Sequence, residues 1–161
     1  MDVKTSQGED VSAHEAVEHR ISSELDELSC DLMGAALDRL AEGSDVNVLL
    51  VVADIGGTVV NFEFSDDGKE TCLSGARDKV RSLVRAKGDG SLELGAPRCY
   101  ALCYEGAIED DAGVFADALI TEFGERGHPA YSAYSLFDGR GAGEGFAWTD
   151  PAPAGEVESL L

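Results

Sequence analysis

Residues 46–64 decide the fold: Val46-Asn47-Val48-Leu49-Leu50-Val51-Val52-Ala53, then Asp54-Ile55-Gly56-Gly57, then Thr58-Val59-Val60-Asn61-Phe62-Glu63-Phe64. The first run is β-branched, apolar and continuous, which predicts a strand buried on both faces. Gly56-Gly57 is a turn signal. The second run alternates well enough to be a partner strand, so the two form a hairpin. Asp66-Asp67-Gly68 ends it.

Upstream, the period is helical. Val17, Ile21, Leu25, Leu28 and Leu32 recur every three to four residues, and Leu37 and Leu40 continue the series. This predicts a helical segment over 10–43, with Ser12 and Glu15 spaced as a capping box and Gly34 as a candidate break into two helices. Residues 1–9 are polar and read as disordered.

Downstream, Leu73, Val80, Leu83 and Val84 lie among Arg and Lys, which predicts an amphipathic helix over 70–87. Most of the scarce positive charge sits there: Arg77, Lys79, Arg81, Arg85 and Lys87. Such a basic face either meets an acidic partner or complements the protein's own carboxylates.

The remainder reads as a meander. Strands are predicted at Arg98 to Ile108, Val114 to Phe123 and Ala130 to Phe137, with a candidate short strand at Phe146 to Thr149. A candidate turn of helix lies over Gly155 to Leu161. The predicted class is α+β, an antiparallel sheet of about five strands in the order α-β-β-α-β-β-β. A single domain is expected over 10–161, with its sheet body at 46–149 and a tail at 150–161.

On the third strand Cys99, Ala101, Cys103 and Ala107 share a face of small residues, while Tyr100, Leu102, Tyr104 and Ile108 share the other. A helix can approach closely over the small face. Helices on one side, with a partner sheet, ligand or dimer contact on the aromatic side, is the simplest packing this predicts.

Composition narrows the function classes. The chain of 161 residues carries 12 Lys and Arg against 32 Asp and Glu, a formal net charge of −20. That field repels nucleic acid backbones and anionic membrane surfaces, so neither is expected as a partner. No apolar run approaches the roughly 20 residues of a membrane span, and the first residues lack the pattern of an export signal. A cytoplasmic protein is expected, with Cys30, Cys72, Cys99 and Cys103 as reduced thiols.

Several motifs invite chemistry. Asp54-Ile55-Gly56-Gly57-Thr58 resembles the first phosphate-binding hairpin of the sugar kinase, hexokinase and actin superfamily. The likeness implies phosphate contact by the glycine backbone and Thr58. It covers five residues, and a hairpin that needs glycine accounts for them equally. His14 and His19 are five apart, about 140° around a helix at 3.6 residues per turn, so they cannot chelate one ion together. Asp111 to Glu122 has the length of a calcium loop, but Gly113 and Phe115 stand where side-chain ligands belong. No cofactor or metal is expected.

The acidic cluster of the fourth strand is the stronger candidate. Asp117 shares a face with Phe115, Leu119 and Phe123, where a carboxylate needs a partner such as Arg98 or Arg126. Glu122, Glu125, Arg126 and His128 gather at the strand's exit, where a rigid sheet holds charged loop positions. His128 has the side chain suited to titration near neutrality.

The stretch Arg98-Cys99-Tyr100-Ala101-Leu102-Cys103-Tyr104-Glu105-Gly106, with Asp117-Ala118-Leu119-Ile120-Thr121-Glu122, Glu125-Arg126-Gly127 and Ala130-Tyr131-Ser132-Ala133-Tyr134, resembles a group of small uncharacterised bacterial proteins. The resemblance implies no activity, substrate or cofactor. It singles out Glu105, Asp117, Glu122, Glu125 and Arg126 among the acidic and basic residues. The helix–hairpin–helix–meander order also resembles roadblock and profilin-like domains, which implies pairing through a sheet edge or helix.

Two functions are expected. The first is a non-enzymatic interaction or regulatory domain, a homodimer using Tyr100, Tyr104, Tyr131, Tyr134 and Trp148 as aromatic contacts. The second is a small-ligand-binding protein or enzyme built on the cluster from Asp117 to Arg126.

Overall fold

The computed structural model describes residues 21–161, so the expectations for residues 1–9, for Ser12 with Glu15 and for His14 with His19 lie outside the described residues. Helix α1 (Ser23–Glu42) is followed by the hairpin β1 (Val48–Asp54) and β2 (Val59–Phe64). Helix α2 (Lys69–Ala86) then leads to the meander β3 (Pro97–Glu109), β4 (Phe115–Glu125) and β5 (Ala130–Asp138). Two further strands, β6 (Ala147–Trp148) and β7 (Ala152–Val157), complete the sheet.

All pairings are antiparallel, in the order β2-β1-β3-β4-β5. Both late strands line the far side of β5: β7 pairs with Ala130 to Tyr134, and β6 with Phe137 and Asp138. The α+β antiparallel class therefore holds, with seven strands among the described residues in place of about five. The additional strand is the tail, which is extended at Ala152–Val157 where a helical turn was expected. Its Pro153 and Gly155 are poor strand formers, but the free edge of β5 offers backbone groups to any chain that reaches it.

Helix α1 is continuous through Gly34. Ser22 caps it, its hydroxyl accepting from the Leu25 N–H at 3.1 Å, and Gly43 ends it in the left-handed conformation. Its buried stripe of Leu25, Leu32, Met33, Ala36, Leu37 and Leu40 packs on Cys99, Ala101 and Cys103 of β3 and on Leu119, Phe123, Ala133 and Phe137. The small side chains of β3 allow this close approach.

The opposite face is not free of helices, which corrects the expectation of a one-sided arrangement. Cys72, Ala76, Val80 and Leu83 of α2 pack against Val48, Leu50 and Val52 of β1 and Tyr100 and Leu102 of β3. The continuous apolar run of β1 is sandwiched between the two helices, which is why it lacks alternation. Because α2 is the connection between β2 and β3, it lies mainly over the β2, β1 and β3 part of this face and reaches β4 through Arg77 and Glu122. No helix among the described residues is long and apolar enough to cross a membrane.

Candidate functional site

The residues singled out on β4 do not converge. Glu122 and Glu125 point to opposite faces of the sheet, as their odd separation requires. Glu122 is buried beneath α2, where Arg77 holds it through Nε at 3.3 Å and an Nη at 2.5 Å, and the Tyr104 hydroxyl donates to it at 2.9 Å. Burial first, and the Glu122 charge second, push the Tyr104 hydroxyl well above its ordinary pKa.

Glu125 is buried on the α1 side and accepts from the Ser22 backbone N–H at 2.9 Å. A carboxylate at the start of a helix also meets the positive end of its dipole. Asp117 is exposed rather than enclosed, because the β3–β4 hairpin extends past the core and Phe115 there is 65% exposed. Neither arginine expected to pair with it does so: Arg98 pairs with Glu24, and Arg126 donates to the Pro97 carbonyl at 2.7 Å. Glu105 pairs with Arg140, and His128 is exposed in the β4–β5 turn. Most of these groups thus dock helices and loops onto the sheet.

The Asp54 turn is likewise occupied by its own side chain. One Asp54 carboxylate oxygen accepts from the Thr58 N–H at 2.8 Å and the other from the Gly95 N–H at 2.8 Å. The hydrogen bond from Gly95, then that from Thr58, holds its pKa below the ordinary carboxylate value. Gly57, at φ 92°, supplies the left-handed residue that closes the turn. The donors that a phosphate would need are therefore turned toward an internal anion.

What the sequence did not reveal is a groove beside α1. It has a volume of about 460 Å³ and runs between the helix and the β1–β2 hairpin. Its apolar lining includes Leu28, Leu32, Val51, Ala53 and Val59, and its rim includes Glu27 and Asp31. Cys99 lies on its lining with a free thiol whose pKa burial pushes up, so it is a poor nucleophile. A second hollow of about 320 Å³ shares Leu32, Ala35 and Asn61 and reaches Glu63. One end is closed by the Arg98–Glu24 pair. At the other, Arg39 grips Glu63 at 2.8 and 3.0 Å and Asn47 donates at 2.6 Å, which together hold the Glu63 carboxyl down at about 2. The helical half of this groove follows from the α1 pattern, but its juxtaposition with β2 needs the tertiary structure.

No group of side chains among the described residues is arranged to hold a metal ion. Compared with known proteins, the chain matches no family model, no curated protein and no solved structure.

Proposed function

We propose that the protein is a non-enzymatic interaction domain that pairs with a second copy through the part of the sheet α2 leaves uncovered. The observation that carries this reading is a patch on the α2 side of β3, β4 and β5. It comprises Tyr104, Ile108, Ile120, Tyr134 and Leu136, all half-buried. Ile108, Ile120, Tyr134 and Leu136 belong to neither core cluster, while Tyr104 packs at the margin of one.

None of these side chains carries a charge, which matters in a chain of net charge −20. Two copies meeting here place the acidic α1 helices on their outer sides, as far apart as the fold allows. A two-fold contact of this kind needs only one self-complementary surface. The aromatic contacts are fewer than the sequence implied, because Tyr100 and Tyr131 are buried within the core. The ligand-binding or enzymatic alternative at Asp117 to Arg126 gains no support from side chains that diverge.

Sedimentation velocity tests the proposal. The full chain is expected to shift from monomer to dimer as concentration rises, and further as sodium chloride screens the repulsion. Ile120→Asp and Tyr134→Glu each bring charge into the contact and keep the protein monomeric. A wild-type chain that stays monomeric into the submillimolar range overturns the reading.

A further inference from the structure

The two edges of the sheet are built differently. The β7 edge contains Pro153 and a left-handed Gly155, and its pairing with β5 is interrupted by a register shift. Those are the features that keep an edge from accepting another strand. The β2 edge has none of them. Val59–Phe64 is six residues long, rich in β-branched and aromatic side chains, and among the described residues paired only with β1.

The register indicates which β2 groups are free. Asp54 N–H donates to the Thr58 carbonyl, so alternate residues from Thr58 onward bond to β1. Val59, Asn61 and Glu63 therefore turn their backbone N–H and C=O outward. Their side chains lie on the α1 face, beside the groove.

That groove is apolar below and acidic along its helical wall. Glu27 and Asp31 have no cationic partner among the described residues, whereas the ion pairs at the two ends are closed. The groove runs alongside β2 because α1 and β2 advance in the same direction: Glu24 to Asp31 line the end near Gly57, and Arg39 lies with Glu63. Glu27 and Asp31 are separated by about 6 Å of helical rise, close to the roughly 6.7 Å repeat of alternate strand residues.

We propose that this site receives an extended basic segment of another protein, which adds to β2 as a strand. Alternate side chains of that segment face α1. There, lysine or arginine stems cover Val51 and Val59 while their cationic ends reach Glu27 and Asp31. The intervening side chains fall on the α2 face beside the half-buried Val60 and Phe62 and are apolar. The groove lies on the opposite face from the proposed dimer contact, so the two readings stand or fall separately.

The probe is a fluorescein-labelled Lys-Val-Lys-Val-Lys-Val peptide, with binding to the full chain read by fluorescence anisotropy at low salt. Lys-Pro-Lys-Pro-Lys-Pro has the same charge and cannot add as a strand. It is expected to bind at least about tenfold more weakly. Asn61→Pro, which leaves the charge unchanged, and Glu27→Gln with Asp31→Asn are each expected to weaken the first peptide about tenfold. Glu109→Gln with Asp117→Asn removes the same charge from the distant hairpin tip and changes affinity less than about twofold.

Equal binding of the two peptides overturns the proposal without reference to any variant. So does an equal loss from the groove and hairpin-tip pairs, which would show attraction by net charge alone. Absence of binding also overturns it. So does a sedimentation result in which Asn61→Pro dissolves a dimer, since the β2 edge would then belong to a second copy.

Discussion

The two helices lie on opposite faces of one sheet and manage charge in opposite ways. Helix α2 gathers Lys69, Arg77, Lys79, Arg81 and Arg85, and most of them are engaged within the fold. Arg77 holds Glu122, Arg81 reaches Asp78 and Glu158, Lys69 donates to the Glu105 carbonyl, and Lys79 lies 5.2 Å over the Phe62 ring. Helix α1 carries Glu24, Asp26, Glu27, Asp31, Asp38 and Glu42 against Arg39 alone. Of those six carboxylates, only Glu24 pairs with a cation among the described residues. The basic helix therefore uses most of its cations in contacts within the fold, while the acidic one presents its charge to whatever approaches. A local cluster of positive charge thus does not by itself mark a binding surface.

The contrast can be broken from the α2 side first. Arg77→Ala leaves Glu122 buried with only the Tyr104 hydroxyl. The Glu122 side chain is 8% exposed and that of Arg77 35%, so part of the effect is screened by solvent. A loss of about 2 kcal/mol in urea unfolding is expected, the largest effect among these variants. Equal stability of the variant and the wild type would mean that the pair does not anchor α2.

The end of the α1 groove gives a smaller, pH-dependent effect. The Glu63 carboxyl is held down at about 2, first by the Arg39 hydrogen bonds and then by Asn47, against an ordinary value of 4.5. A depressed carboxylate contributes stability above its unfolded pKa and loses it as pH falls toward its folded pKa. Glu63 is 40% exposed, so the contribution is about 0.5 kcal/mol. Glu63→Gln is expected to be less stable than the wild type by that amount at pH 6. The difference should shrink between pH 4.5 and 2, as followed by urea unfolding across pH. A difference that grows on acidification contradicts the assignment.

The smallest effect sharpens the comparison by its sign. Glu27 and Asp31 are like charges four apart on one helix and have no compensating cation among the described residues. Glu27→Gln with Asp31→Asn should leave thermal stability unchanged or raise it by up to about 0.5 kcal/mol. A marked loss would show that these carboxylates are structural, like Glu122.

The sequence made much of the fold legible through local pattern. The β-branched run of β1, the glycine turn, the alternation in β2 and the helical period of α2 each specify their element, and the small and aromatic faces of β3 place α1. The tail strand was not legible, because Ala152-Pro153-Ala154-Gly155 lacks strand-forming side chains and depends on the open edge of β5. Nor were the partners of the acidic residues. Glu122 meets an arginine 45 positions away, and Glu125 meets a backbone group 103 positions away. Asp54 read as a phosphate motif because the glycines were visible in sequence, while the Gly95 N–H that occupies its carboxylate was not. The groove arises from two elements whose alignment is set by the whole core.

The proposed site requires that the outward backbone groups of the β2 edge, which no other described strand pairs with, be open in the free protein. Residue-resolved amide hydrogen exchange measures this directly. Rapid exchange is expected at Val59, Asn61 and Glu63, and slow exchange at the intervening Val60 and Phe62, which bond to β1. Uniform protection along β2 in the absence of any partner would contradict it.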